Sequence, residues 1–208
     1  MKKVFFGGSF DPPHYGHLGI ARAALASGRC DQVIWFPSAS PPHKPGNKRA
    51  PFTDRMNMVK LLIKDIPQMS VSDFENTLDI SPTYTVRVLL ELKQRTGEDY
   101  QLLIGADSLQ ELHTWYQADW LVKNVDFIIY PRPRAQVTAS ELRQHWDEKI
   151  VEKLLSSMIS GTFFEISSTE VRNSMEKNAF RHHIIEENAC PPEINEYIRK
   201  NRLYEKEN

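Results

Sequence analysis

The 208-residue sequence holds only two cysteines, Cys30 and Cys190, far apart and in no C-x-x-C arrangement. They read as free thiols in a reducing compartment, not as a disulfide framework. No apolar run reaches the length that crosses a bilayer, and no signal peptide opens the sequence, so a cytoplasmic protein with no membrane partner is expected. Charge of one sign is not in excess either: 26 Lys and Arg against 27 Asp and Glu leave a net −1. A general nucleic-acid binder carries a basic surplus, so nucleic acid is not expected, and any phosphate site must be a local cluster of cations. Internal repeats and low-complexity tracts are absent, which removes solenoid architectures. What remains is 40% hydrophobic and 25% charged, the ordinary composition of a soluble enzyme. The length suits one domain over 1–208 with a three-layer core.

The informative stretch is the first one. Val4 to Phe6 is an apolar run of the kind a buried parallel strand needs. Gly7 and Gly8 follow, removing two side chains where the strand ends so that a ligand can approach the backbone. Pro12 and Pro13 stiffen the next residues. A helical pattern starts at His17, with Leu18, Ala21 and Leu25 on one face and Gly28 as its stop. His14 and His17 therefore stand at a strand-to-helix turn beside a helix N-terminus, whose free N–H groups and partial positive charge suit phosphate. A zinc pair is a competing reading, but no third ligand at useful spacing follows; buried structural histidines are another. The run is neither G-x-G-x-x-G nor a Walker loop. Phosphate chemistry is the preferred reading.

The string Gly7-Gly8-Ser9-Phe10-Asp11-Pro12-Pro13-His14-Tyr15-Gly16-His17 resembles the signature of the H-x-G-H nucleotidyltransferases. Within them it is most similar to the bacterial nicotinate mononucleotide adenylyltransferases. Five further segments resemble that family in the same order.

Val33 to Phe36 reads as the second strand, leading into a proline-rich basic loop, Pro37 to Arg49. Within it Pro41-Pro42-His43-Lys44 resembles the family's P-x-x-K, which implies that Lys44 reaches the nucleotide phosphates; Lys48 and Arg49 read as solvated. Thr53 is a cap for the next helix, whose apolar face is Met56, Val59, Ile63 and Ile66. Arg55 matches a family arginine, and a surface salt bridge explains it equally well. Met69 to Glu75 reads as a third strand, imperfect in its alternation. Ser81 to Val86 opens a helix with Val86, Leu89 and Leu90 inward and Gly97 beyond its end, Thr83 and Thr85 serving as caps. Thr83-Tyr84-Thr85 resembles the S-Y-T of S-Y-T-I-D-T-L, which implies a site for the pyridine mononucleotide; Arg87 stands where the family has Asp.

Tyr100 to Ile104 is a fourth strand delivering Gly105-Ala106-Asp107-Ser108-Leu109 at its carboxyl end, where open α/β sheets place ligands. With Trp115 and Tyr116 this resembles G-A-D-x-L…W, which implies that Gly105 and Asp107 serve ATP, Asp107 at a ribose or in orienting the nucleotide. By the same resemblance Trp115, beside Tyr116, stacks on the pyridine ring, a physically sensible partner for a π face. Asp126 to Tyr130 is a fifth strand. Arg132 follows in a segment similar to R-P-G and joins the mononucleotide residues, with Arg134 replacing the glycine. Ser140 to Met158 reads as one helix carrying Leu142, Val151, Leu154 and Leu155, and Thr162 to Ile166 as a short strand. Ile166-Ser167-Ser168-Thr169-Glu170-Val171-Arg172 resembles I-S-S-T-x-I-R. Its residues alone make a capping box, Ser167-x-x-Glu170; the resemblance adds ATP's β and γ phosphates at Ser167, Ser168, Thr169 and Arg172. From Pro191-Pro192 a terminal helix with Ile194, Tyr197, Ile198 and Leu203 covers the core. It belongs to a helical segment (about 167–208) that completes the domain, and an interface for a homo-oligomer stays open there.

Alternating strands and helices imply an α/β, doubly wound parallel sheet, and the resemblance implies its Rossmann-like nucleotidyltransferase form. The implied reaction joins nicotinate mononucleotide to ATP in NAD biosynthesis, giving deamido-NAD and pyrophosphate. Gly7, Gly8, Ser9 and Phe10 contribute to the ATP site; His14, His17, Lys44 and Arg172 are the implied catalytic residues; Mg²⁺ arrives on ATP, with no protein metal site. Nicotinamide mononucleotide or phosphopantetheine as acceptor, or a non-catalytic nucleotide sensor, are the alternatives.

Overall fold

The computed structural model describes residues 1–40, 49–132, 135–161, 166–176 and 189–204. Five parallel strands form one sheet in the order β3-β2-β1-β4-β5: β1 Lys3–Gly8, β2 Gln32–Pro37, β3 Met69–Val71, β4 Tyr100–Gly105 and β5 Phe127–Tyr130. Their side chains alternate between two buried layers. Val4, Phe6, Val33, Trp35, Leu103 and Ile128 pack to one face against helices α1 (Tyr15–Ala26) and α2 (Phe52–Ile63). Phe5, Phe36, Leu102, Ile104, Phe127 and Ile129 pack to the other, against α3 (Thr85–Thr96), α4 (Ala106–Glu111) and α5 (Ala118–Asn124). Both faces are covered, so the strands must be apolar throughout, as their sequences are. Short α6 (Ala139–Leu142) and α7 (Glu148–Ser156) follow β5, then α8 (Ser168–Glu176) and α9 (Pro192–Lys200). Ile194 and Ile198 of α9 join the first layer, as the terminal pattern implied. Among the described residues no helix is long and apolar enough to cross a membrane.

Chain order runs outward from β1 to β3 on one side, then jumps to β4 and β5 on the other. That reversal leaves a crevice at the carboxyl ends of β1 and β4. Register widens it. β1 pairs with β2 from Lys3↔Gln32 through Gly8↔Pro37, but with β4 only from Lys3↔Tyr100 to Phe5↔Leu102. Past Phe5 the two central strands part, and the crevice opens between them.

Gly28 and Gly97, the two expected helix stops, are left-handed at φ 69° and 72°, a conformation that glycine adopts without a Cβ penalty. Other expectations need correction. The third strand ends at Val71, and Phe74–Thr77 is a 3₁₀ turn. Pro51, not Thr53, precedes the first turn of α2, and the exposed Thr53 caps nothing. Neither Thr83 nor Thr85 caps α3, whose N-cap is Tyr84 without a side-chain bond. Leu90 is 42% exposed, past the edge of the buried stripe that Val86, Val88, Leu89 and Leu92 form. The expected helix from Ser140 to Met158 is two, because Asp147 adopts an extended conformation and its carboxylate accepts the amide of Ile150 at 3.0 Å, starting a new helix. Residues 162–165 of the expected strand, Lys44 with most of its basic loop, and Arg134 lie outside the described residues.

Candidate active site

His14 is the N-cap of α1 and His17 its third residue, and the two rings cap each other's backbone. His17 N donates to His14 Nδ1 at 3.4 Å, and His14 N donates to His17 Nδ1 at 3.3 Å. An Nδ1 that accepts a hydrogen bond carries no proton, so each neutral ring bears its proton on Nε2. The ring centroids are 3.8 Å apart. His14 is buried, and desolvation, followed by the charge of Arg132, pushes its pKa down to about 3. It stays neutral through the physiological range, a hydrogen-bond donor rather than a cation.

The loop between Gly8 and His14 contains two prolines, and its carbonyl oxygens need donors from elsewhere. Arg55 Nη1 reaches Ser9 O at 2.8 Å, Arg172 Nη1 reaches Asp11 O at 2.5 Å, and Ser168 Oγ reaches Pro12 O at 3.0 Å. Cys190 Sγ lies 3.4 Å from Pro13 O. Arg55 also donates to Ala50 O and Ser38 O, at 3.1 and 2.8 Å. At 3% exposure it is an internal strut between the loops after β1 and β2, and the surface salt bridge is ruled out. The bare backbone of Gly8 serves packing as well as approach: a Cβ there would meet the Phe10 ring at 2.9 Å.

Where β1 and β4 part lies a cavity of about 310 Å³. Gly7, Gly8 and Ser9 line it, together with Thr83, Tyr84 and Thr85 and with Trp115 and Tyr116. Thr83 is anchored to the loop after β2, its amide donating to Ser40 O at 2.9 Å. Tyr84 and Tyr116 stack at 4.6 Å, and Arg87 sits over both rings, its Cζ 5.5 and 5.0 Å from their centroids. Glu75 lines the same cavity. It is 5% exposed and accepts the Ala39 amide at 3.2 Å. Burial raises its pKa to about 7, opposed by hydrogen bonds from Thr83 and Ala39 and by the charge of Arg55.

The sequence profile of the cytidylyltransferase-like family matches residues 5–174. A Synechococcus sp. (strain JA-3-3Ab) protein named "Probable nicotinate-nucleotide adenylyltransferase" is 35% identical, over 95% of this chain and 92% of its own. A protein of the same name from Desulfotalea psychrophila is 34% identical over 98% and 100%. The chain belongs to the nicotinate-nucleotide adenylyltransferase family. Solved structures agree on the fold: the Plasmodium falciparum nicotinic acid mononucleotide adenylyltransferase complexed with NaAD superposes with a TM-score of 0.74, at 20% identity and 98% coverage of both chains.

Within this adenylyltransferase frame, the structure gathers the signature residues into two groups. Thr83, Tyr84, Thr85, Trp115 and Tyr116 share the cavity with the glycine turn. Arg132 does not line it. Its guanidinium lies 3.7 Å from Asp107 Oδ1 and its charge acts on His14, at the histidine end. Asp107 is exposed in the first turn of α4, and a Cβ on Gly105 would collide with its carboxylate. Ser167 and Glu170 form the expected capping box, Ser167 Oγ accepting the Glu170 amide at 3.2 Å and Glu170 Oε2 accepting the Ser167 amide at 3.0 Å. Arg172 also reaches Thr169 Oγ1 at 3.2 Å. Among the described residues no group of three or more His, Cys, Asp or Glu could hold a metal ion. Glu75 is the residue sequence reasoning missed, its only signal the imperfect alternation of the expected strand; Arg55 was marked by its match to a family arginine, and the structure decides for that reading over the surface salt bridge.

Proposed function

We propose that the chain transfers the adenylyl group of ATP to nicotinate mononucleotide, forming deamido-NAD and pyrophosphate. The observation that carries this reading is the mutual capping of His14 and His17, which leaves each ring an Nε2–H donor, next to a cavity of about 310 Å³ lined by the glycine turn that leads to them. A phosphate oxygen of the mononucleotide attacks the α-phosphorus of ATP, the bond from that phosphorus to the bridging oxygen breaks, and pyrophosphate leaves. The nucleophile is ionised already, so the reaction needs no general base. Catalysis rests on in-line positioning and on donors aimed at the charge that grows on phosphoryl oxygens. His14 and His17 supply those donors. Arg172, Lys44 and the α8 amides at Ser168 and Thr169 take the departing phosphates. ATP enters as its Mg²⁺ complex, the cation held by phosphate oxygens. Arg132 is better placed for the phosphates joining the two nucleotides than for the pyridine ring.

Thr83, Tyr84 and Thr85, which line the cavity together with the glycine turn, are the contacts assigned to the pyridine ring, with Trp115 as its stacking face. Backbone N–H groups near Thr85 and Tyr116 suit a ring carboxylate and oppose an amide's own N–H₂, a mismatch of about 1–3 kcal/mol. The test is pyrophosphate release from ATP with a panel of acceptors. Nicotinate mononucleotide is expected to outperform nicotinamide mononucleotide by about tenfold or more in kcat/KM, with phosphopantetheine inactive. Equal rates for the two pyridine acceptors would remove the nicotinate assignment. No release with any acceptor would remove adenylyl transfer itself.

A further inference from the structure

After α9 the chain passes through Arg202 and Tyr204, both left-handed at φ 51° and 66°, a conformation that disfavours bulky side chains. The turn brings the Tyr204 phenol back under the loop between β1 and α1. There its hydroxyl donates to Asp11 Oδ1 at 2.6 Å, across 193 positions of sequence. Asp11 is 2% exposed, and the same oxygen accepts the Ala50 amide at 3.1 Å. The other carboxylate oxygen lies 4.0 Å from Arg172 Nη1, beyond hydrogen-bond reach. That guanidinium is turned instead to Asp11 O and Thr169 Oγ1. Arg55, a second cation near Asp11, is committed to three carbonyl oxygens.

We propose that Tyr204 is a positioning residue: by occupying Asp11 Oδ1 it keeps the buried carboxylate from capturing Arg172, whose guanidinium then stays available to the departing phosphates of ATP. This rests on the adenylyl-transfer reading above. Without the phenol, Asp11 retains one amide partner and sits under-satisfied in a low-dielectric site, with the Arg172 guanidinium 4.0 Å from its other oxygen. The ion pair closes and the triphosphate loses its cation. Burial, with the charge and hydrogen bond of Asp11 adding to it, holds the Tyr204 pKa far above its ordinary range, so the hydroxyl keeps its proton at any working pH.

Tyr204→Phe removes the hydroxyl alone, and calorimetric titration of the full chain reads the result. Mg–ATP is expected to bind roughly fivefold to tenfold more weakly, nicotinate mononucleotide as before, and KM for ATP to rise with little change in kcat. In an Asp11→Asn background no charge remains to capture Arg172, and the same substitution is then expected to leave ATP binding unmoved. Unchanged ATP affinity in Y204F, equal weakening of both ligands, or the same loss in the D11N background would each reduce Tyr204 to a structural contact. Should Y204F not fold, D11N alone decides: ATP affinity at or above wild type supports the proposal, and a loss overturns it. ATP titration needs no acceptor, so a failure of the nicotinate assignment shows separately, in the acceptor panel.

Discussion

Four side chains from three other segments hold the backbone oxygens of the Ser9–Pro13 loop, whereas the walls of the neighbouring cavity meet largely through rings. Tyr84 lies on Tyr116, Arg87 lies on both, and Tyr116 is 40% exposed. The same crevice is therefore stiff at its histidine end and adaptable at its aromatic end. Chemistry explains the division. An in-line displacement gains rate from donors fixed to fractions of an ångström, while a flat ring gains affinity from surfaces that can close on it. Substitutions at the stiff end should change turnover, and those at the adaptable end should change acceptor affinity.

His17→Ala is the strongest way to break that contrast. It removes one donor and the acceptor that orients His14 N, so turnover is expected to fall a hundredfold or more, on the order of 3 kcal/mol of transition-state stabilisation. ATP binding and the fold should survive. Steady-state kinetics on the purified variant decide, and near-wild-type turnover would return the pair to a purely structural capping role.

Arg172→Ala comes next. The guanidinium serves the proposed triphosphate and also holds Asp11 O, so ATP should bind about tenfold more weakly or worse and kcat should fall with it. Titration with the mononucleotide alone should show little change. Equal weakening of both ligands would mean that Arg172 belongs to the frame and not to the phosphates.

How far the sequence foretold this contrast depends on the reach of each interaction. The apolar runs of the strands, the stops at Gly28 and Gly97 and the Ser167–Glu170 capping box are local, and each was legible from residues a few positions apart. The eleven-residue glycine-to-histidine string and five shorter matches supplied the family. The wiring of the loop was not legible, because Arg55 meets Ser9 across 46 positions and Tyr204 meets Asp11 across 193. A charged residue in an amphipathic helix reads as solvent-facing unless its distant partners are known, so the sequence left Arg55 open between a family arginine and a surface salt bridge, and its burial decides against the latter. Asp147 offered a local signal, an acid able to cap, but the apolar spacing on both sides of it masked the break. At Glu75 a carboxyl took the place where an apolar strand residue was expected, and only the fold shows it walled into the cavity.

At the aromatic end, Trp115→Ala should weaken the two pyridine mononucleotides alike, by roughly tenfold, since stacking does not sense the ring substituent. The ratio of their kcat/KM values should stay at its wild-type level, which competition between the two acceptors measures directly. A changed ratio would give Trp115 a part in reading the carboxylate.

The smallest effect sharpens the comparison most. His14 and Glu75 are both buried titratable groups, and burial shifts them in opposite directions. The His14 pKa is depressed to about 3, so the folded chain binds fewer protons there than the unfolded one. The stability this contributes is complete above the ordinary histidine value and is lost as pH falls toward 3. The Glu75 pKa is raised to about 7. Its contribution is complete below the ordinary carboxylate value near 4.5 and is lost as pH rises through 7, with a ceiling on the order of 3 kcal/mol. Glu75→Gln keeps an acceptor for the Ala39 amide and removes the titration. Thermal unfolding of the variant should therefore gain on wild type as pH rises from 5 to 8, while the acid-side loss attributed to His14 persists in both. If the difference between the two proteins stays flat across that window, Glu75 ionises normally. The Glu75 carboxylate would then be a fixed negative charge lining the cavity proposed for an anionic acceptor, and its repulsion would have to be offset by a cation such as Arg87, which lies over Tyr84 and Tyr116.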